Sequence, residues 1–526
     1  MKILVAETIA DAGVARLRNE GFDVDVRTDL SREQLLDIIG DYDGLIVRSA
    51  TKADAELLER GANLKVVGRA GIGVDNVDLE TATRRGVLVV NAPQSNVLSA
   101  AEHTIALMLS QARNIPAANA ALKAGRWDRA KYEGVELHGK TLAILGLGRV
   151  GTLVAQRALA FGMRLIAWDP FVSKQRAAQM GVELMELDEA LRQGDFITIH
   201  LPKNNETAKL IGGAQLAVMK PDARLINTSR GGILDEDALA EAIRGGRLGG
   251  TGLDVFEKEP TTSSPLFELE QVVVTPHLGA STHEAQDKAG ITIAEQVSLA
   301  LRGELAQYAV NVDVGRELSD AVRPFVGLAE RLGRVFTSIG EGVHSVRIAY
   351  KGAIAGEDTR VLTLAVLKGM LGAVVHEPVT FVNAPLMASE RGIGYAETKT
   401  TTAGSYVNEI EITGDEGAAV SGTIVGARDE ERITGVFDFA IDMPPGSYMC
   451  FLRYDDRPGV IGAIGTILGA ERVNIADMRV GRRERGGEAL MALTVDQPVN
   501  TELLDKLAKG SGAKDARFID LRDASR

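Results

Sequence analysis

The sequence holds one cysteine, Cys450, among 526 residues. No intrachain disulfide can form, and such a chain suits a reducing compartment. Aromatic residues supply only 4%, while glycines number 57. That balance fits the tight turns of alternating strands and helices better than a β-sandwich. Positive charge is in deficit: Lys and Arg number 59 against 72 Asp and Glu, a formal charge of −13. This argues against a nucleic-acid partner or an anionic membrane surface. Long apolar runs are missing too. The N-terminal run stops at Glu7, too short for a signal-peptide core. The longest run, 361–375, is interrupted by Lys368 and falls short of a bilayer span. The expectation is a soluble, cytoplasmic protein, with no metal site assigned.

What remains is ordinary globular composition, 45% apolar and 25% charged. At about 150 residues per domain, the length allows three or four domains. The first ninety residues alternate short apolar runs (ILVA, FDVDV, GLIVR, LKVVG, VLVVN) with helical stretches, which predicts βαβ units and a parallel sheet. Ser99, with Glu102 three residues on, has the form of a capping box. A second series starts at Lys140 (TLAIL, MRLIAWD, FITIHLP, ARLINTS, GGTGLDV, QVVVTPH), each strand ending in a small or polar residue. Ligands of open α/β sheets sit beyond those carboxyl ends. A helical stretch over 282–302 is expected to return the chain to the first unit. Residues 318–340 read as helical and 405–443 as β-rich. Pro444-Pro445-Gly446 reads as a linker. The last eighty residues read β-α-β-β-α-β, the ferredoxin-like order.

Gly146, Gly148 and Gly151 form a GxGxxG pattern between the strand TLAIL and a helix opening at Arg149. The first glycine allows a tight turn, the second a close approach to pyrophosphate, and the third close helix–strand packing. Asp169 ends the next strand, 18 residues past Gly151. A carboxylate there suits both ribose hydroxyls and repels a 2′-phosphate, so the spacing points to NAD.

Three further patterns end strands of the same unit: NTSRGG over 227–232, LDVFEKEP over 253–260, and TPHLGA over 275–280. Oxidising an alcohol with NAD needs a base for the hydroxyl proton and a cation for the substrate. His277 suits the base, Glu259 could orient and charge it, and Arg230 could hold a carboxylate in a bidentate fork. An anionic substrate needs a local cationic pocket on so acidic a chain. Arg48, Ser49, Asn96, Arg129 and Lys131 are the candidates.

GLGRVG, Asp169, NTSRGGILDEDAL, GLDVFEKEP and TPHLGAST, in that order, resemble the D-isomer-specific 2-hydroxyacid dehydrogenases. VRSATK, VGRAGIGVDNVD and NAPQSN resemble the phosphoglycerate-oxidising branch of that family, in its long form. The resemblance implies Arg230, Glu259 and His277 as catalytic residues. It implies NAD contacts by Arg149, Val150, Asp169, Thr207, Thr228, Ser229, Arg230, Asp254, His277, Leu278, Gly279 and Ala280, with Asp254 on the nicotinamide carboxamide. The implied reaction is oxidation of 3-phosphoglycerate to 3-phosphooxypyruvate, the first step toward L-serine.

The implied architecture has two Rossmann-like or flavodoxin-like parallel-sheet domains: a substrate-binding domain from 1–97 and 284–305, and an NAD-binding domain over 98–283. An α+β intervening domain, able in the family to bind anions or substrate, would span 311–443. RYDDRPGVIGAIG and VNIADMRVGR resemble an ACT domain, here 449–526. Its effector in the family is L-serine, for which Tyr454, Asp456 and Asn474 are the candidates, although some relatives carry His and Asn at the first two. A homotetramer is the usual assembly. Two other readings use the same residues: a glycerate- or lactate-type dehydrogenase, separated by the cationic pocket around Arg48, and an NAD-sensing binding protein, disfavoured by the intact Arg230, Glu259 and His277.

Overall fold

The computed structural model describes residues 1–304, 306–313, 318–340, 344–375, 377–402, 404–415 and 417–522. The expected boundary at 305 and the last four residues of the expected 449–526 unit lie outside these. The N-terminal apolar runs form a five-stranded parallel sheet in the order Asp23–Val26, Lys2–Val5, Gly44–Val47, Val66–Arg69, Leu88–Asn91. This is the flavodoxin-like order. The helix His283–Leu301, capped by the Thr282 side chain, packs back onto this sheet. Its Ile293, Val297 and Leu301 share a core with Ile3 and Val5. Beyond it, the main chain of Tyr308 and Val310 bonds to the edge strand, accepting from Asn91 N–H and donating to Val89.

The second sheet has seven parallel strands in the order Glu183–Leu184, Arg164–Trp168, Thr141–Leu145, Phe196–Ile199, Arg224–Asn227, Gly250–Leu253, Val272–Val274. The strand order reverses between Thr141–Leu145 and Phe196–Ile199, which places a crevice at their carboxyl ends. The chain crosses into this unit along the helix Val97–Ala112. That helix starts two residues before Ser99, with Asn96 at the N-cap, so the expected capping box does not form. The Ser99 hydroxyl instead meets the Thr282 hydroxyl at 2.8 Å.

The third sheet has six strands, parallel only between Gly394–Thr400 and Ser345–Gly352 and otherwise antiparallel. The helices Phe325–Ile339 and Arg360–Gly372 pack together beside it, which accounts for the apolar run: ten residues of the second helix are buried. The first helix begins at Phe325, seven residues later than the pattern suggests. The final unit has four antiparallel strands and two helices in the expected β-α-β-β-α-β order. Its Phe451, Leu490 and Ile519 share one core with Val436 and Ile441 of the third unit. The Pro-Pro-Gly segment therefore joins two units that share a core and is no free spacer. Among the described residues, no helix is long and apolar enough to cross a membrane.

Candidate active site

Two adjoining cavities of about 530 and 480 Å³ lie between the parallel-sheet units. Arg69, Asn96, His277 and Ala280 line both. The smaller cavity opens on the N-terminus of the helix Arg149–Ala160, where Gly148, Arg149 and Val150 form its wall. Gly146 has φ +98°, and a methyl there would sit 2.6 Å from the His200 carbonyl oxygen. A methyl on Gly151 would overlap the Gly146 carbonyl oxygen. Both positions therefore exclude larger residues, while Gly148 faces open space. Uncommitted N–H groups beside an open cavity fit a pyrophosphate. Asp169 accepts from the Leu147 N–H at 2.8 Å and from those of Phe171 and Val172 at 2.8 and 3.1 Å. It thus ties the glycine-rich turn to the end of the second strand.

His277 follows Thr275-Pro276 with φ +55°, an uncommon conformation for a residue other than glycine. Its Nδ1 lies 2.6 Å from Oε2 of Glu259, whose Oε1 accepts the Phe256 N–H at 2.8 Å. The hydrogen bond to Glu259 raises the His277 pKa above the ordinary imidazole value, outweighing partial burial. Burial pulls Glu259 upward, but its bonds from His277 and Phe256 hold it below the usual carboxylate range. With Nδ1 engaged, Nε2 is the nitrogen left for chemistry. Arg230 sits on a loop braced by Asn227, which accepts from Ser229 and donates to the Arg230 carbonyl at 3.0 Å. Its Nε lies 3.3 Å from Asp75 of the first unit, an ion pair across the cleft.

The larger cavity holds Arg48, Ser49 and Asn96 on its wall. It also holds Arg69, which the sequence reading did not single out. Arg69 ends its strand just as Arg48 follows Gly44–Val47, so the carboxyl-end rule was the available signal. Burial, then the neighbouring Arg230 charge, pushes its pKa down to about 10. The Nε of Arg69 and the Oδ1 of Asn96 are buried and make no hydrogen bond to the described protein atoms. Glu7 accepts the N–H groups of Arg48, Ala50 and Thr51, and so shapes the loop that carries Arg48.

Several expected contacts differ. Asp254 is wholly buried, and its carboxylate is taken by Thr275 at 2.6 Å, Leu278 N–H at 2.7 Å, Gly279 N–H at 2.8 Å and His103 at 3.2 Å. Three of these donors converge on Oδ1 and only the Gly279 N–H reaches Oδ2, so Asp254 organises the 275–279 loop and keeps an acceptor position on Oδ2. Thr207 uses its hydroxyl on Pro202 and Asn204 within its own turn and lines neither cavity. Thr228, Ser229, Gly279 and Ala280 do line the cofactor cavity; Leu278 is partly exposed beside it. Arg129 and Lys131 lie in a short 3-10 turn outside both cavities, where Lys131 pairs with Glu270 at 2.8 Å. In the C-terminal sheet Tyr454 stands opposite Ala489, whereas Asn474 precedes Ile475, which is opposite Val495. Six residues of strand, about 20 Å at about 3.3 Å each, separate the two positions. Asp456 pairs with Arg482 at the Tyr454 end, and Asn474 donates to Asp496 at the other.

Comparison with known proteins gives the family. Residues 105–279 match the NAD-binding domain model of the D-isomer-specific 2-hydroxyacid dehydrogenases. Residues 321–436 match the D-3-phosphoglycerate dehydrogenase intervening domain and 448–509 the ACT domain. D-3-phosphoglycerate dehydrogenase of Synechocystis is 43% identical over 99% of this chain and 95% of its own length. The enzyme of the same name from Methanocaldococcus jannaschii is 43% identical over 99% of this chain and all of its own. The crystal structure of an NAD-dependent formate dehydrogenase from Staphylococcus aureus in complex with NAD is 29% identical, with a TM-score of 0.54 over 59% of this chain and 99% of that one. By length, domain series and cleft, the chain belongs to the D-3-phosphoglycerate dehydrogenase family of D-isomer-specific 2-hydroxyacid dehydrogenases.

Proposed function

We propose that the chain oxidises D-3-phosphoglycerate to 3-phosphooxypyruvate with NAD, opening L-serine synthesis. The observation that carries this reading is the His277–Glu259 pair standing where two cavities meet, beside the cationic group of Arg48, Arg69 and Arg230.

The substrate carboxylate takes the place of Asp75 on Arg230 and gains a bidentate partner. The phosphate falls to Arg48 and Arg69, with Ser49 and Asn96 beside them. Nε2 of His277 takes the C2 hydroxyl proton while Nδ1–H stays on Glu259, and the Glu259 charge stabilises the imidazolium that results. Bound NAD would supply the acceptor for the C2 hydride. Gly148, Arg149 and Val150 hold its pyrophosphate, Asp169 its ribose, and Thr228 to Arg230 with Gly279 and Ala280 its nicotinamide half. His277 then releases its proton to solvent. We take 1–97 with 284–305 as the substrate unit, 98–283 as the cofactor unit, 311–443 as the intervening unit and 449–526 as the regulatory one.

L-Serine is the proposed effector. The distance between Tyr454 or Asp456 and Asn474 calls for two chains: one contributes the first pair and the other contributes Asn474. This fits a homo-oligomer, in the family a tetramer. The test is NAD reduction with 3-phosphoglycerate, glycerate and lactate in parallel, with and without L-serine. Turnover of glycerate or lactate in preference to the phosphorylated acid would overturn the substrate assignment.

A further inference from the structure

We propose that His103 is a positioning residue, holding the loop that presents His277 to the substrate; this rests on His277 being the base. The helix Val97–Ala112 carries three polar side chains toward the active-site loops. Ser99 meets Thr282 at 2.8 Å, Thr104 meets Thr228 at 2.7 Å, and His103 Nε2 meets Thr275 Oγ1 at 2.9 Å and Asp254 Oδ1 at 3.2 Å. Thr228 lies two residues before Arg230 and Thr275 two before His277. One helix therefore grips the loops of both residues.

The protons in this cluster can be assigned. A fully buried carboxylate only accepts when ionised, and hydrogen bonds from His103, Thr275, Leu278 and Gly279 hold Asp254 below its usual pKa against the upward pull of burial. Thr275 spends its one proton on Asp254, at 2.6 Å. It can then only accept from His103, so His103 carries its proton on Nε2. That single N–H serves both Thr275 and Asp254. Asp254 in turn takes the N–H groups of Leu278 and Gly279, and its carbonyl takes that of His277 at 2.9 Å. The unusual backbone of His277 is thus held from one side by Asp254, and Asp254 is held by His103. An apolar residue at 103 would fill the space and leave the carboxylate one donor short, free to turn and to release the loop. His103 touches neither cavity, so its effect would pass through Asp254 to the loop that carries His277 and Gly279.

The experiment compares the full-length protein with His103→Leu and His103→Gln. It measures kcat and KM for the best 2-hydroxy acid and the deuterium isotope effect on kcat with substrate deuterated at C2. His103→Leu is expected to lower kcat about tenfold or more, because small displacements of a reacting group are costly. KM should stay within about twofold and the isotope effect should rise, as the chemical step becomes slower. His103→Gln places an N–H near the same point and should recover most of the loss. Thr275→Val, which removes the bridging hydroxyl, should reproduce the Leu phenotype and stands in for it if the Leu chain does not fold. Unchanged kcat in the Leu or Val chain, or equal losses in Leu and Gln, would overturn the proposal. Wild-type turnover of 3-phosphoglycerate tests the function separately, since the variants are read only as ratios to wild type.

Discussion

At the scale of the residue, the proposed chemistry rests on one imidazole and the charges around it. His277→Ala should lower kcat by about 10²-fold or more, the usual cost of losing a general base; steady-state NADH production measures it. Because Glu259 raises the His277 pKa, the basic form appears only above the ordinary value of about 6.5. Activity should therefore climb with pH through that raised value. Glu259→Gln removes the charge while its amide oxygen can still accept from Nδ1–H, so the acid limb of kcat/KM should move to lower pH; a limb that stays put would take Glu259 out of the mechanism. Folding linkage follows the same signs. The raised His277 adds stability that is lost as pH rises through its folded pKa, and the lowered Glu259 adds stability that is lost as pH falls through its own. Arg69 is the residue to test for phosphate recognition. Arg69→Met should raise KM for 3-phosphoglycerate by about ten- to a hundredfold, since a hydrogen bond to a charged group is worth about 1.5–3 kcal/mol. A smaller change for unphosphorylated glycerate in the same assay would locate the effect at the phosphate.

At the scale of the element, the glycine-rich turn and the strand ends decide which atoms face the cleft. Asp169 braces that turn through Leu147 as well as standing ready for ribose. Asp169→Ala should therefore weaken NAD binding and narrow the preference over NADP together. Titration of both cofactors by fluorescence checks this, and an unaltered preference would remove the ribose role. The motif spacings made this turn, His277, Glu259 and Arg230 legible in sequence, because each stands at a strand's carboxyl end in a fixed local pattern. Thr207 and Asp254 were not legible in the same way. Nothing local reveals that the Thr207 hydroxyl bonds its own turn, or that four donors from two elements close around Asp254. The Ser99–Glu102 pattern is a local signal that lost: the helix began earlier, and Ser99 found Thr282, 183 residues away in the chain.

At the scale of the whole molecule, the C-terminal units behave as one packed body. Met449, Phe451, Leu490 and Leu521 sit in the same core as Phe336, Val436 and Ile441. Ending the chain after Gly446 would expose that surface, so the shortened protein should melt at lower temperature and aggregate more readily than a separable module would allow. Calorimetry and light scattering measure both. On the proposed L-serine effector, Asn474→Ala should relieve the inhibition with little effect on basal turnover; inhibition at the same serine concentration would place the effector elsewhere.

The sequence by itself determined the order of the units, the parallel and ferredoxin-like patterns and the main motifs of the proposed site. Those depend on hydrophobic period and on residues a few positions apart, which chain connectivity alone brings together. Only the tertiary structure decided that Arg69 joins Arg48 and Arg230, that Lys131 turns to Glu270, and that His103 reaches the loop of His277. Such contacts join side chains far apart in sequence. They are set by how sheets and helices pack, and no local pattern carries that information.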